Sequence, residues 1–155
     1  MISKSKLKTS RADFDALSRL REICEKAGIR LTPQRLEVFK EIMSAHDHPA
    51  AEDIHERLKV RMPTISLDTV YRTLGTFERL GVIRKMHVLD DHARFDPNTQ
   101  THHHFVCTKC KKIIDFEWPA FDKLQPPPEL DSFGTVLEQQ VEVRGFCKEC
   151  GEKNK

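Results

Sequence analysis

The chain has 155 residues, of which 38% are hydrophobic and 32% are charged, and its formal net charge is +2. That length allows one domain or two small ones, and no apolar run approaches the ~20 residues that a membrane-spanning helix needs. The basic start at residues 1–6 is not followed by an apolar stretch, so we predict no secretory signal, no membrane partner and a cytoplasmic location.

The charge is unevenly distributed along the chain. Residues 1–85 contain 17 Lys and Arg against 12 Asp and Glu, whereas residues 86–155 contain 9 against 12. A basic first half suits a polyanion such as DNA. Because the excess is small, this conclusion depends on the motifs that follow.

Three helices are predicted after a loose basic arm at residues 1–11. In the first, apolar residues recur at helical spacing from Phe14 to Ala27 and Gly28 ends the pattern. Cys24 falls on this apolar stripe, which predicts a buried free thiol. Thr32 followed by proline begins the second helix, and a third carries Ile54 and Leu58.

The fourth helix and the segment after it predict a winged helix-turn-helix. Ser66 is the expected N-cap and Gly81 the expected end. Residues 82–89 and 93–96 have the composition of strands joined by a turn at 90–92. The alternative is a helical bundle with an added hairpin, but the polar outer face of the fourth helix favours the winged helix.

The N-terminal residues of such a helix reach base edges in the major groove. Arg72 can donate to guanine in bidentate fashion, and Tyr71 can pack on a thymine methyl or bind a phosphate. An ordinary solvated surface is the alternative for each side chain. The predicted DNA contacts, with two residues of the wing, are Ser66, Thr69, Tyr71, Arg72, Arg84 and Lys85.

The second half changes to short strands, predicted at 104–107, 112–116 and 141–146, with a short helix at 119–124. A turn-rich segment at 96–98 separates the halves. The prediction is therefore an α+β chain, with a winged-helix domain at residues 1–95 and a small α/β domain at residues 96–155.

Two identical cysteine brackets carry the strongest chemical signal. Cys107 and Cys110 form one, Cys147 and Cys150 form the other, and 36 residues separate them. Four thiolates in two such turns give the tetrahedral sulfur shell that zinc prefers. We predict one structural Zn²⁺ per subunit, which stabilises a small domain; a redox-active bracket beside an incidental one is the alternative.

A second ligand type lies in the run of three histidines. His102 and His104 share one face of an extended segment and His103 takes the other. With His48, these two histidines provide three imidazoles, and two aspartates complete a set suited to Fe²⁺ or Mn²⁺ and acceptable to zinc. A solvated strand edge is the alternative. The candidate regulatory ligands are His48, Asp96, His102, His104 and Asp115.

Together these motifs resemble the ferric uptake regulator (Fur) family of bacterial metal- and stress-responsive repressors. The matching segments are residues 28–35, 48–54, 66–74, 94–96, 102–110 and 147–150. The resemblance implies a homodimer whose C-terminal domain dimerises, with double-stranded operator DNA as the partner. It also places the family's regulatory metal on the same five His and Asp positions, at the hinge between the domains.

Aspartate at both 96 and 115 is similar to the peroxide-responsive (PerR) branch of the family. In that branch bound Fe²⁺ reacts with peroxide and an adjacent histidine is oxidised, which implies His48 and His102 as the oxidation-sensitive pair. Arg72 is instead usual among iron regulators. Residues 138–140 contain no histidine, so we predict that the additional metal site of some iron regulators is absent. His103 has no obvious partner in the sequence, so we place it on the surface.

Three other functions fit the same sequence. One is an iron- or zinc-uptake repressor that responds to metal supply only. Another is a non-haem iron oxygenase, although five protein ligands would leave little room for a substrate, and we predict no enzyme. The last is a zinc-ribbon interaction module that does not bind DNA.

Overall fold

The computed structural model describes residues 11–87 and 92–152. The first half contains α1 (Arg11–Lys26), α2 (Pro33–Met43), α3 (Ala51–Lys59), α4 (Leu67–Arg79), β1 (Arg84–His87) and β2 (Ala93–Asp96). The second half contains β3 (His103–Cys107), β4 (Ile113–Phe116), α5 (Pro119–Asp122), a 3-10 helix (Pro128–Ser132), β5 (Glu142–Gly145) and α6 (Lys148–Glu152). The arm predicted at 1–11 lies outside the described residues except for Arg11, and so does most of the turn predicted at 90–92.

The helix boundaries follow the predicted caps. The Thr32 side-chain oxygen accepts the backbone N–H three residues later at 3.3 Å, and Ser66 does the same at 3.1 Å. After α1 and α4 the chain passes through Gly28 and Gly81 with φ near +66° and +67°, a conformation that favours glycine. The starts of α2 and α4 and the ends of α1 and α4 are therefore encoded locally.

The first half has one hydrophobic core, built from all four helices and the β1–β2 sheet. Phe39 of α2 meets Phe77 of α4 edge to face, with ring centroids 5.9 Å apart, and Phe95 of β2 closes the core from the sheet side. Cys24 is 1% exposed within this core, which confirms the buried free thiol. The sheet packs as part of the same domain, so the winged helix-turn-helix is confirmed over the bundle with an added hairpin.

The second half is a three-stranded sheet in the order β4-β3-β5. Strand β4 runs antiparallel to β3, whereas β5 runs parallel to it. Its apolar core is small: among the described residues, Val106 and Ile113 are the buried members, and Met86 of β1 packs against them. A domain with so little buried apolar surface needs another source of stability.

The α+β fold class is confirmed, with small differences in the boundaries. Strand β2 includes Asp96, so the predicted boundary after residue 95 separates that strand from its last residue. Helix α5 ends at Asp122, two residues earlier than predicted. None of the helices in the described part of the chain is long and apolar enough to cross a bilayer.

Candidate metal centres and nucleic-acid interface

The parallel pairing of β3 and β5 assembles the cysteine cluster. Cys107 ends β3 opposite Gly145, and Cys110 lies in the turn that follows β3. Two residues beyond Gly145, Cys147 precedes α6, and Cys150 lies within it. The four sulfur atoms all lie within 4.8 Å of one another. The structure thus brings together all four cysteines predicted to hold zinc.

The sulfur geometry fits a tetrahedral zinc ion. A Zn–S bond of ~2.3 Å implies sulfurs about 3.8 Å apart at the corners of a tetrahedron, and the sulfurs of Cys110 and Cys147 are 3.7 Å apart. All four are free thiols, and this separation is far longer than a disulfide bond. The cluster therefore has the dimensions of a metal site.

The protonation behaviour of the thiols points the same way. Backbone N–H groups, first that of Cys110 and then that of Cys147, lower the pKa of Cys107 to about 6. Burial and the neighbouring thiols raise the pKa of Cys150 to about 12. The metal-free chain therefore keeps only part of the cluster ionised, and a bound cation would allow all four sulfurs to become thiolates.

The histidine and aspartate cluster draws on both halves of the chain. His48 lies in the loop after α2, and Asp96 is the last residue of β2. His102 directly precedes β3, His104 lies within it, and Asp115 is paired opposite His104 on β4. Four segments of the chain, namely the loop after α2 and the strands β2, β3 and β4, therefore converge on one point between the domains.

The loop that carries His48 is held against the wing. The backbone N–H of Phe95 donates to the carbonyl of Pro49 at 3.1 Å, and Ala50 forms a β-bridge with Arg94. His48 itself has a φ of 48°, which is costly for a residue other than glycine. A strained backbone is more common at functional sites than elsewhere, and here it directs a buried imidazole toward Asp96.

The ligand atoms of this cluster lie close together. The Nε2 atom of His102 is 2.9 Å from Asp96 Oδ2 and 2.9 Å from Nε2 of His104. The Nε2 atom of His48 lies 2.9 Å from Asp115 Oδ1 and 3.8 Å from Asp96 Oδ1. Four members are buried and their ligand atoms lie within 4.8 Å of one another, whereas Asp115 is 40% exposed at the edge.

These atoms fit a cation better than they fit one another. Both ring nitrogens of His48 and Oδ2 of Asp96 are buried without a properly oriented hydrogen bond, although carboxylate oxygens lie within 4 Å of His48 Nε2 and imidazole nitrogens lie within 4 Å of Asp96 Oδ2. Lone pairs that converge on a common centre produce this arrangement. His102 is oriented for such a role, because its Nδ1 is 2.8 Å from the carbonyl of Gln100, which leaves Nε2 to bind an ion.

Electrostatics also favour a cation at this point. Burial lowers the pKa of His48 more than any other influence, which keeps its imidazole neutral and able to bind metal. At Asp96 burial favours the neutral acid, but the imidazole of His104, 3.4 Å from Oδ2, and the Asn98 backbone N–H, which donates to Oδ1, keep the carboxyl pKa below its ordinary value. The hinge therefore combines the neutral imidazole of His48 with an ionised, fully buried carboxylate at Asp96, which is costly without a positive partner.

His103 contradicts the prediction of a surface position. It is 0% exposed, and its Nε2 lies 3.1 Å from the carboxylate of Asp122 on α5. Its Nδ1 accepts the backbone N–H of Val141 at 3.2 Å, and its ring packs on Phe116 and Phe121. The alternation along β3 turns His103 away from the hinge and toward α5, where it attaches the helix to the sheet.

The N-terminal part of α4 presents the polar groups predicted to contact DNA. The hydroxyls of Ser66 and Thr69 lie 2.8 Å apart. Arg72 is 81% exposed, and its only ion pair in the described part of the chain is a loose one with Asp68 at 3.7 Å. Tyr71 is also exposed, and its hydroxyl donates to Glu52 on α3. The helix N-terminus and these side chains could reach a groove together.

The two wing residues differ in their surroundings. Lys85 is exposed, so its ammonium group is accessible for the predicted contact with the DNA backbone. Arg84 is only 26% exposed, and its guanidinium binds the carboxylate of Glu138 and the carbonyl of Thr99. In this conformation Arg84 links β1 to the second half, and the predicted contact with the DNA backbone would require its guanidinium to leave Glu138.

Sequence reasoning missed three acidic partners at these sites. Glu52 and Tyr71 are 19 residues apart, as are Asp122 and His103, and Glu138 is 54 residues from Arg84. Asp122 and Glu138 lie outside the matching segments, and Glu52, although it lies within residues 48–54, has no sequence feature that indicates its pairing with Tyr71. Their roles arise from the way in which the elements pack, and no local pattern could have identified them.

Comparison with known proteins agrees with this geometry. A model of the ferric uptake regulator family matches residues 26–141. The peroxide-responsive repressor PerR of Staphylococcus epidermidis is 38% identical over 128 residues, which cover 83% of this chain and 85% of that protein. PerR of Staphylococcus aureus strain Mu50 is 36% identical, with 83% and 86% covered.

Solved structures with the same fold include both kinds of regulator. The ferric uptake regulator of Helicobacter pylori matches with a TM-score of 0.76 at 25% identity, covering 89% of this chain and 93% of that one. The peroxide stress regulator of Campylobacter jejuni matches with a TM-score of 0.64 at 31% identity, covering 86% and 98%. These relatives are transcriptional regulators, in agreement with the prediction that the chain is not an enzyme. The chain therefore belongs to the ferric uptake regulator family of metal-dependent transcriptional regulators.

Proposed function

We propose that this protein is a repressor that binds palindromic operator DNA as a homodimer and senses hydrogen peroxide through oxidation of His48 or His102. The observation that carries the proposal is the buried His and Asp cluster, whose members come from both halves of the chain. The identity to peroxide-responsive repressors over most of the chain supports the choice of signal. The proposed location is the cytoplasm, where thiols remain reduced.

The two metal sites have different roles in this proposal. Cys107, Cys110, Cys147 and Cys150 hold one Zn²⁺ per subunit, and this ion stabilises the second domain. The cluster of His48, Asp96, His102, His104 and Asp115 holds one exchangeable Fe²⁺ or Mn²⁺ per subunit. Zinc would also satisfy these ligands in vitro.

Coupling between metal and DNA follows from where the ligands lie. His48 and Asp96 belong to the first half, and His104 and Asp115 belong to the second. With all of them directed at one ion, the two halves have a single relative orientation. Metal binding and DNA binding then share a coupling free energy, so each strengthens the other. In a dimer, the orientation of the halves sets the spacing of the two recognition helices, which must match successive major grooves.

Peroxide sensitivity would arise inside this same cluster. Bound Fe²⁺ would supply the redox chemistry that splits the O–O bond of peroxide: one oxygen atom would be added to a carbon of a nearby imidazole and the other would leave as water, so that peroxide itself is the two-electron oxidant. His48 and His102 are the proposed sites of oxidation because each directs Nε2 into the cluster, at 2.9 Å from a carboxylate oxygen. An oxidised imidazole is a poorer ligand, so the hinge would lose the orientation that DNA binding requires.

DNA recognition is assigned to α4. Arg72 is the most exposed charged group on its N-terminal half and has the length to reach a guanine edge. Ser66 and Thr69 lie at the helix N-terminus, where backbone N–H groups and hydroxyls suit a phosphate. Lys85 adds a phosphate contact from the wing, whereas Arg84 would first have to leave Glu138.

The second candidate function is repression in response to metal supply alone. It is favoured by the higher TM-score to the Helicobacter pylori ferric uptake regulator, 0.76 against 0.64 for the Campylobacter jejuni peroxide stress regulator. The same hinge cluster would serve both functions, and they differ in whether the imidazoles are modified.

Mass spectrometry of the Fe²⁺-loaded protein after a low dose of peroxide separates these functions. The expected result is one added oxygen on His48 or His102, with loss of operator binding. His103 is an internal control, because it is buried on the opposite face of β3 and bound to Asp122. Protein loaded with Mn²⁺ is the second control and should stay unmodified. An unmodified His48 and His102 in the iron form would leave repression by metal supply as the function.

DNA binding requires a separate measurement. Chelation of the exchangeable metal should abolish retention of a duplex selected with the Mn²⁺-loaded protein, while zinc content stays constant. Replacement Arg72→Ala should relax base preference by about 1–3 kcal/mol. Arg79→Ala is the matched control, since Arg79 lies in the last turn of the same helix. Binding that ignores both chelation and Arg72→Ala would contradict the assignment.

A further inference from the structure

Glu52 and Tyr71 form a hydrogen bond between α3 and α4 at the surface predicted to face DNA. The phenol of Tyr71 donates to Oε1 of Glu52 at 2.5 Å. Both side chains are exposed, so the pair is not part of the core. This hydrogen bond lowers the pKa of Glu52 and raises the pKa of Tyr71, as expected when a carboxylate accepts a hydrogen bond from a phenol.

The hydrogen bond restricts what Tyr71 can do on DNA. A phenol has one hydroxyl proton, which Tyr71 here donates in the hydrogen bond to Glu52, so the hydroxyl cannot at the same time donate to a phosphate. The negative charge of Glu52 also repels a phosphate at this position. The aromatic ring is left available and is held in one direction, which suits apolar contact with a thymine methyl group.

We infer that Glu52 is a positioning residue for base recognition, which directs the Tyr71 ring toward a thymine methyl and away from the DNA backbone. This inference rests on the proposed function, in which α4 enters the major groove. It assigns a part in specificity to an acidic side chain on a different helix, 19 residues earlier in the chain.

The first turn of α3 is well placed for this role because it also contacts the wing. The side chain of His92 lies 4.0 Å from Glu52, and Arg94 of β2 lies 3.6 Å from Asp53. Asp53 is itself held by the Ala50 backbone N–H at 2.9 Å. A fixed first turn gives the Glu52 carboxylate a defined position from which to orient Tyr71.

Two effects of opposite sign distinguish positioning from simple charge. Removing the carboxylate removes repulsion and should strengthen binding to any duplex. Removing the hydrogen bond frees the ring and should weaken recognition of the selected duplex relative to a scrambled one. A residue that acted only through its charge would change both affinities by the same factor.

The test compares Mn²⁺-loaded wild-type, Glu52→Ala, Tyr71→Phe and the double variant. The probes are a duplex selected by the wild-type protein from a randomised pool, the same duplex with single thymines replaced by deoxyuridine, and a scrambled duplex. Glu52→Ala should lower the ratio of selected to scrambled affinity about three- to tenfold, the equivalent of one hydrogen bond. It should also reduce the loss caused by the deoxyuridine replacement that costs the wild type most.

The double variant decides whether Glu52 acts through the Tyr71 hydroxyl. In the Tyr71→Phe background, Glu52→Ala should leave the affinity ratio unchanged, and Tyr71→Phe alone should lower it as much as Glu52→Ala does. Glu56→Ala is the matched control: Glu56 is exposed one turn further along α3 and makes no hydrogen bond to Tyr71 among the described residues.

Several results would overturn the inference. An unchanged ratio in Glu52→Ala would do so, as would equal losses in both backgrounds or an effect equally large in Glu56→Ala. If the wild-type protein selects no duplex from the pool, the proposed function fails instead. If the wild-type protein prefers the selected duplex and Glu52→Ala has the same affinity ratio, the proposed function is supported and Glu52 has no role in base recognition.

Discussion

Replacement Cys147→Ser should unfold the second domain and leave the first domain folded. Cys147 is buried and joins the sulfur cluster from the end of β5, and its own backbone N–H donates to the Cys107 sulfur. Serine cannot supply the fourth thiolate, so the ion would be lost or held weakly. The structure indicates that this domain has little else to stabilise it.

The magnitude follows from a comparison of the core with the ion. Val106 and Ile113 are the buried apolar residues of this domain's core in the described part of the chain, and complete burial of such side chains contributes about 1.5–3 kcal/mol each. A structural zinc ion contributes about 10–16 kcal/mol in small domains. The ion therefore outweighs the apolar core by roughly twofold or more, and its loss should exceed the net stability of the domain.

Trp118 provides the assay, because it is the only tryptophan and lies beside Phe121 in the second domain. We expect Trp118 emission to shift to the red in Cys147→Ser and in chelated wild type, while most of the helical circular-dichroism signal remains. Cys24→Ala is the matched control, since it removes a buried thiol from the other domain and should leave zinc content and Trp118 emission unchanged. Native Trp118 emission with cooperative unfolding after complete zinc removal would refute the reasoning.

Three further predictions concern the hinge and the second domain. His48→Ala should weaken Mn²⁺ binding by about 100-fold or more, because replacement of residues that only support the metal ligands already costs 10–100-fold. Calorimetry measures the affinity, with replacement of the exposed His46 by alanine as the control, and an unchanged Mn²⁺ affinity would show that His48 is not a ligand. Glu138→Gln should release Arg84 and strengthen binding to scrambled DNA about two- to fivefold, the range of an exposed ion pair, and the gain should vanish in Arg84→Ala; a gain that persists there would show that Arg84 is not involved. His103→Phe keeps an aromatic ring but leaves the Val141 N–H without its acceptor, so the free energy of unfolding of the second domain should fall by about 1–3 kcal/mol. Denaturant titration followed by Trp118 emission measures this change, and unchanged stability would contradict the structural role of His103.

The elements of the first domain could be predicted because their signals are local. Thr32 and Ser66 cap their helices with an oxygen that reaches the backbone three residues on. Gly28 and Gly81 end helices because a positive φ is inexpensive for glycine. The apolar stripes at helical spacing then form the core that their period predicts.

The position of His103 could not be predicted by the same reasoning. Alternation along β3 correctly placed it on the face opposite His102 and His104. Whether that face is solvent or core depends on what packs against it, and α5 with Asp122 and Phe121 covers it. The sequence around His103 contains no sign of that covering helix.

Arg84 illustrates a similar limit. An arginine at the start of a wing carries the positive charge expected of a DNA contact, and the sequence has no feature that distinguishes Arg84 from Lys85 in this respect. Tertiary structure places Glu138 within reach of one and not of the other. A charged side chain binds the nearest available partner, and distance through space is not encoded by separation along the chain.

Ligand chemistry and helix limits were thus determined by the sequence, because two-residue cysteine spacing, alternating histidines and capping residues act within a few positions of themselves. Convergence of His48 with Asp96 and Asp115, the burial of His103 and the pairing of Tyr71 with Glu52 were decided only by the tertiary structure. These contacts join residues brought together when helices and strands bury their apolar faces, and burial depends on the whole chain.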